Sequence, residues 1–90
     1  MNHYIITYHV IIDDSAPIEG TTGNVVFGAR HLRDYKPLQV ARYIREEYEL
    51  MYPRAQDIRV RFQQVELVEE HDYEKASPAF TLAQWMCKVV

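Results

Sequence analysis

Alternating apolar and polar positions dominate the start of the chain and predict a β-strand. Residues 3–13 read HYIITYHVIID, and every second side chain from position 4 to position 12 is apolar or aromatic. Successive side chains of a strand point to opposite faces, so one face of this segment is apolar throughout. β-branched and aromatic residues also favour strands. The apolar face of this first predicted strand carries Tyr4, Ile6, Tyr8, Val10 and Ile12.

A second strand is predicted over residues 24–32, NVVFGARHL, in which Val25, Phe27 and Ala29 share one face. The residues between the two strands, 14–23, read DSAPIEGTTG. Pro, Gly and short polar side chains are typical of loops, so this segment is predicted to be one. A connection of about ten residues allows the two strands to pair antiparallel.

The third predicted strand, residues 57–69, contains a break in its alternation. Its apolar positions are Ile58, Val60 and Phe62 before the pair Gln63-Gln64, and Val65 and Leu67 after it. A slip of one residue exchanges the two faces of a strand. A β-bulge at Gln63-Gln64 would restore the core face, because it adds one unpaired residue. Two short strands with a kink between them are the alternative.

A helix is predicted between the second and third strands, over residues 37–52. Pro37 suits the first helical position, Asp34 or Lys36 lies near the cap, and Pro53 ends the helix. Spacings of three and four residues indicate one apolar stripe, made of Leu38, Ala41, Ile44, Tyr48 and Met51.

The last part of the chain is predicted to be a loop followed by an element of open type. Residues 69–78, EEHDYEKASP, are polar and acidic and predict the loop. Residues 79–90, AFTLAQWMCKVV, favour a helix, with Ser77-Pro78 as its cap and first turn, and a strand is the alternative. The fold class is therefore α+β: a single domain over residues 1–90, with a three-stranded antiparallel sheet, a helix packed on it (ββαβ) and a C-terminal helix or strand.

Composition limits the possible functions. The chain has 10 Lys and Arg against 13 Asp and Glu, a net charge of −3, which argues against a general nucleic-acid binder. No apolar run approaches the ~20 residues of a membrane span, no signal peptide is visible, and the single Cys87 excludes an internal disulfide. These features favour a cytoplasmic protein that does not enter the membrane.

Candidate chemistry is sparse, so we expect no enzyme, no metal site and no cofactor. His3 and His9 are about 20 Å apart along an extended strand and cannot share a metal. Cys87 lies between apolar residues and is interpreted as a buried structural thiol. The segment GTTG at 20–23 lacks the lysine and the following helix of a phosphate-binding loop. A small enzyme that uses His9 or His31 as a general base remains a minor alternative.

Two surfaces are candidates for binding a partner, because the chain has 7 Tyr and Arg outnumbers Lys. One is the strand face that carries Arg59 and Arg61, with Thr7 and His9 beside them. The alternatives there are a solvated face with arginine stems over apolar residues, or a face that the C-terminal helix covers. The other surface is the outer side of the helix. The predicted contact residues are Arg59, Arg61, Tyr43, Arg42 and Glu46.

The order of the predicted elements resembles the layout of small ββαβ accessory proteins of phages and mobile elements. The segments that carry this resemblance are, in order, YIITYHV, NVVFGAR, PLQVARYIREEYELMYP and DIRVRFQQVEL. The resemblance covers residues 3–69 and includes no diagnostic motif. Some of these proteins, including anti-CRISPR proteins, block a host protein or ribonucleoprotein by binding to it. The resemblance implies a non-enzymatic inhibitor of that kind. The alternative is an RNA or single-stranded nucleic-acid binder that uses an Arg/Tyr sheet face. A homodimer through Ile5 and Ile11 is compatible with either function.

Overall fold

The computed structural model describes residues 2–28 and 31–80. Its strands form one antiparallel sheet in the order β2-β1-β3, with the first strand in the centre. A long helix packs on one face of this sheet, so the predicted α+β class and the helix-on-sheet arrangement are confirmed. The elements are β1 (Asn2–Ile12), β2 (Ile18–Val26), α1 (Pro37–Met51), β3 (Ile58–Val68) and α2 (Glu70–Ala76), with 3-10 turns at Leu32–Asp34 and Ser77–Ala79.

The hydrophobic core lies between the sheet and α1. Tyr4, Ile6, Tyr8 and Val10 of β1 are completely buried, as the alternation in residues 3–13 predicts. The opposite face of β1 is only partly buried over most of its length. The face that packs under α1 is called the core face below, and the other is called the outer face.

The second strand begins and ends earlier than predicted, because β2 spans Ile18–Val26 and the loop before it is short. The segment GTTG lies inside the strand and not in a turn. Gly20 pairs with Tyr8, and a Cβ at Gly20 would lie 2.5 Å from Cζ of the Tyr8 ring. Glycine is required there by a close approach, so its usual meaning as a turn residue was misleading. The predicted strand position Phe27 lies in the turn after β2 and is 68% exposed.

Helix α1 begins at Pro37 and ends at Met51, so its predicted bounds are confirmed to within one residue. Its predicted apolar stripe is partly wrong. The buried residues are Val40, Ile44 and Tyr48, at regular spacings of four, whereas Leu38 is 87% exposed. The helix is thus rotated from the predicted orientation, and Leu38 and Met51 face away from the core.

The bulge predicted in the third strand is present. Thr7 of β1 pairs with Gln64 and the next residue, Tyr8, pairs with Phe62, so Gln63 is the extra residue. On β3 the core face therefore carries Ile58, Val60, Phe62, Val65 and Leu67, each opposite one of the buried positions of β1.

Residues 70–76 form α2 and not the predicted loop. Glu70 and Asp72 lie in the first turn and Lys75 in the last, an arrangement that the helix dipole favours. Tyr73 is the buried residue of this helix and anchors it on the outer face, where its ring lies 5.1 Å from that of His3. His3 is therefore buried. Ser77–Ala79 is a short 3-10 turn, and Phe80 after it is extended. The rest of the predicted C-terminal helix, including Cys87, lies outside the described residues.

Residues 31–36, which connect the sheet to α1, are attached to the sheet by two hydrogen bonds. The hydroxyl of Tyr4 donates to the carbonyl of His31, and the side-chain amide of Asn24 donates to the carbonyl of Tyr35, both at 2.7 Å. Both donors lie on the core face. These contacts position the start of α1 over the sheet. Over the described ranges, no helix combines the length and the apolar character that crossing a membrane requires.

Candidate functional site

The two arginines predicted to face away from the core on β3 do so. Arg59 pairs with Ile11 and Arg61 pairs with His9, and both arginines are exposed on the outer face. Because β3 pairs with β1 on one side only, within the described chain its other side is an open sheet edge. Both predicted contacts therefore lie at this edge.

Arg59 is already engaged within the molecule. Its guanidinium contacts the carboxylate of Asp57 at 3.0 Å, and it also pairs with Asp14 in the turn after β1. Asp14 and its neighbour Asp13 both adopt left-handed backbone conformations. Oδ1 of Asp13 accepts hydrogen bonds from the backbone N–H groups of Gln56 and Asp57, at 3.0 and 2.8 Å. Arg59 thus helps to hold the β1–β2 turn against the start of β3.

Arg61, by contrast, forms no ion pair with any described residue. Its neighbour on β1, His9, lies 3.9 Å from the carboxylate of Glu19 on the far strand. An exposed guanidinium without a partner is available for a contact with another molecule. Of the two strand arginines, Arg61 is therefore the better candidate for a direct contact.

A groove of about 530 Å³ follows the open edge of β3 and extends to the neighbouring side of α1. Four arginines line it. Two come from the strand, and Arg42 and Arg45 come from the helix. Its apolar lining comprises Ile11, Leu38, Ala41, Ile58 and Val60. This β3-edge groove joins the two surfaces that the sequence predicts separately.

Only one of the three predicted contacts on the helix lines the β3-edge groove, namely Arg42. Its guanidinium lies 3.9 Å from the carboxylate of Glu46 and 5.6 Å from the centre of the Tyr43 ring. The hydroxyl of Tyr43 accepts a hydrogen bond from Gln39 at 3.1 Å. Tyr43 and Glu46 thus hold Arg42 from the helix side and lie beyond the groove.

The groove also contains helix residues that were not among the predicted contacts. Arg45 belongs to the outer side of the helix, which the sequence indicates as a candidate surface, and it lies three residues from Arg42 and therefore on the same face. Its carboxylate partner is Glu49, at 3.6 Å. Leu38 was assigned to the core. A leucine one turn before a basic pair, near the first helical turn, was the available signal.

The strands place no tyrosine on the outer face, contrary to the predicted Arg/Tyr sheet face. Tyr4 and Tyr8 are completely buried on the core face, and Tyr73 is buried where α2 covers the His3 end. The ring of Phe80 lies 5.3 Å from that of Tyr73 and covers Gly23. The outer faces of the three strands therefore offer arginine, histidine and aliphatic side chains, without the aromatic platform on which nucleic-acid bases stack.

The charges around the groove are balanced. Arg59, Arg42 and Arg45 each have at least one carboxylate partner, which leaves Arg61 as the unneutralised cation among them. In the described ranges, no three His, Cys, Asp or Glu side chains come together in a way that could hold a metal ion. Comparisons with protein-family models, with curated proteins and with solved structures found no match to this chain.

Proposed function

We propose that this chain is a non-enzymatic protein-binding domain that recognises an acidic segment of a partner along the β3-edge groove. The observation that supports this is that one groove at an exposed strand edge is lined by four arginines, two from α1 and two from β3, with apolar side chains beside them. Arginine is enriched in protein interfaces because it combines directional hydrogen bonds with an apolar stem.

Binding would combine backbone and side-chain contacts. An extended partner segment can pair with the free edge of β3, which supplies affinity through main-chain hydrogen bonds. An acidic side chain of the partner would meet Arg61 on the outer face. Arg42 and Arg45 would exchange their present partners at little cost, because exposed helical pairs of this kind contribute only about 0.2–0.5 kcal/mol each.

The ββαβ layout of the small phage and mobile-element proteins extends the proposal. In this narrower form the chain acts in the cytoplasm of a host cell and inhibits a host protein or ribonucleoprotein, such as a CRISPR complex, by steric blocking. The groove suits such a role, because blocking requires a contact surface and no reacting group.

Binding to RNA or single-stranded nucleic acid is the rival function, and four arginines in one groove are the observation in its favour. A phosphate backbone selects a clear excess of positive charge, and this chain carries a net charge of −3. The balance of charge and the lack of strand aromatics on the outer face favour a protein partner.

A pull-down with the tagged chain from a bacterial lysate, with and without nuclease, tests the proposal when it is read by mass spectrometry. We expect one host protein in stoichiometric amount that survives nuclease treatment. Arg61→Glu should remove it. Arg54→Glu is the matched control, because Arg54 is also exposed but lies in the turn after α1, away from the groove.

Each result has a definite meaning. Capture of nucleic acid that disappears with nuclease would favour the rival function, and a steep loss of binding with added salt would support that conclusion. If Arg61→Glu and the double variant Arg59→Glu with Arg61→Glu both leave the capture of a protein unchanged, the β3-edge groove is excluded as the binding site.

A further inference from the structure

Arg61 and Glu66 lie on the same face of β3, although they are five residues apart. On a regular strand an odd separation places two side chains on opposite faces. The bulge at Gln63 adds one residue between them and removes this difference. Arg61 lies opposite His9, and Glu66 lies opposite Ile5, which are both outer-face positions of β1.

Neither side chain forms an ion pair with another described residue. Glu66 accepts a hydrogen bond from the neighbouring Gln64, and both Arg61 and Glu66 are exposed. The strand that carries them is at the edge of the sheet. Over the described residues, this open edge thus presents a cation and an anion that are not engaged in ion pairs.

Such an edge is complementary to itself. In an antiparallel pair of two β3 strands, one register places Arg61 of each copy opposite Glu66 of the other, twice by symmetry. The same register places Val60 opposite Leu67 and Phe62 opposite Val65 on the core face. Directly opposed residues of antiparallel strands contact each other, and both the opposite charges and the apolar pairs are favourable.

The core face of β3 also has apolar surface left to bury. Leu67 is 45% exposed, although it lies opposite the completely buried Tyr4. Leu38 of α1 is 87% exposed beside the groove at the other half of the same edge. In the antiparallel pair, Leu67 of one copy lies opposite the half of the partner copy's β3 edge that is next to the partner copy's Leu38.

We propose that two copies of this chain associate through their β3 edges, in the register that pairs Arg61 with Glu66, to form one continuous six-stranded sheet. The inference rests on the proposed function, since it names a partner for the β3-edge groove, and a heterologous protein must then compete with the second copy. Bulges often protect sheet edges from pairing. Here the bulge instead places Arg61 and Glu66 on the same face, which makes the two halves of the edge complementary in charge.

Sedimentation equilibrium of the full chain tests the association, with circular dichroism to confirm that each variant is folded. We expect a dimer for the wild type. Arg61→Glu and Glu66→Arg should each raise the dimer dissociation constant by about tenfold or more, because each reversal creates two like-charge contacts in one dimer. The double variant with both changes should return the dissociation constant to near that of the wild type. Arg54→Glu and Glu74→Arg are the controls.

A monomeric wild type at about 100 µM, far above the concentration at which a specific dimer forms, would overturn the inference. So would a dimer that neither reversal weakens, or single variants that the double variant fails to restore. The test separates the two proposals. A monomer that still captures a host protein through Arg61 leaves the proposed function standing, whereas a charge-restorable dimer that captures nothing leaves only the self-association.

Discussion

The side-chain amide of Asn24 donates a hydrogen bond to the backbone carbonyl of Tyr35 at 2.7 Å. Asn24 is 4% exposed on the core face of β2, in a position that an apolar residue would usually fill. Tyr35 lies just before α1, and its ring contacts that of Phe62 in an edge-to-face arrangement at 5.7 Å. A single amide thus connects the edge strand β2 to the segment that leads into the helix packed on the core face.

Replacement of this amide should destabilise the fold. Asn24→Ala leaves the carbonyl of Tyr35 without its donor, so we expect the free energy of unfolding to fall by about 1–3 kcal/mol. Urea unfolding followed by circular dichroism measures the change. Gln39→Ala removes a side-chain amide that bonds only on the surface of α1, to Tyr43, and should change stability by less than about 0.5 kcal/mol. Equal effects of the two substitutions would contradict a stabilising role for the hydrogen bond from Asn24 to Tyr35.

The orientation of α1 on the sheet leads to a second prediction. Ile44 is completely buried, so Ile44→Ala should cost about 2–5 kcal/mol through lost burial and a cavity. Leu38→Ala should cost less than about 0.5 kcal/mol, because this side chain contributes little to the monomer's core. Urea unfolding of both variants at a low protein concentration gives the comparison. Similar costs would mean that the stripe read from the sequence is the one that packs.

The ring of Tyr48 should make stability depend on pH in the alkaline range. Burial, together with the neighbouring Tyr52, raises the pKa of Tyr48 above its ordinary value of about 10. A raised folded-state pKa favours the neutral form, so this contribution is complete below pH 10 and is lost as the pH rises through the folded-state pKa. We expect the free energy of unfolding to decline above about pH 10, and Tyr48→Phe to make that decline shallower. Tyr43→Phe, on the exposed side, should leave the slope unchanged.

Gly23 leaves space for the rings of Tyr73 and Phe80, which cover part of the outer face. A Cβ at this position would lie 2.4 Å from the Phe80 ring and 2.6 Å from that of Tyr73. Gly23→Val should therefore displace α2 from the sheet and expose the backbone at Lys75, which lies in that helix. We expect faster trypsin cleavage after Lys75 in the variant, measured under native conditions. Glu19→Gln, at an exposed site of the same strand, should leave the cleavage rate unchanged.

Alternation and spacing were sufficient to predict β1, β3, its bulge and the bounds of α1. These signals come from residues that each contact the core directly, so the spacing of apolar residues in the sequence indicates which positions are buried. The wrong boundary of β2 has a different origin. Gly20 and Gly23 are glycines because Tyr8, Tyr73 and Phe80 approach them from elsewhere in the chain. A partner that is distant in sequence cannot be read from the glycine alone.

The candidate site was predicted in its parts and not in its arrangement. Arg59, Arg61 and Arg42 do line one groove, but Arg59 and Arg42 have carboxylate partners whereas Arg61 has none among the described residues. Asp14 lies 45 residues before Arg59, and only the fold shows that these two side chains pair while Arg61 is free of ion pairs among the described residues. The rotation of α1 had a similar cause, since Leu38 and Val40 are both plausible core residues until the sheet selects one.

The position of β1 in the centre of the sheet also has a consequence for biosynthesis. This strand is synthesised before β2 and β3, and the β1–β2 hairpin can form as soon as residue 26 has left the ribosome. Its other edge must wait for β3, which is complete only at residue 68. During that interval the hairpin exposes both an unpaired edge and the aromatic core face of β1, which are features that promote aggregation. We therefore expect a nascent chain stalled between these two points to be more prone to aggregation than the complete sheet.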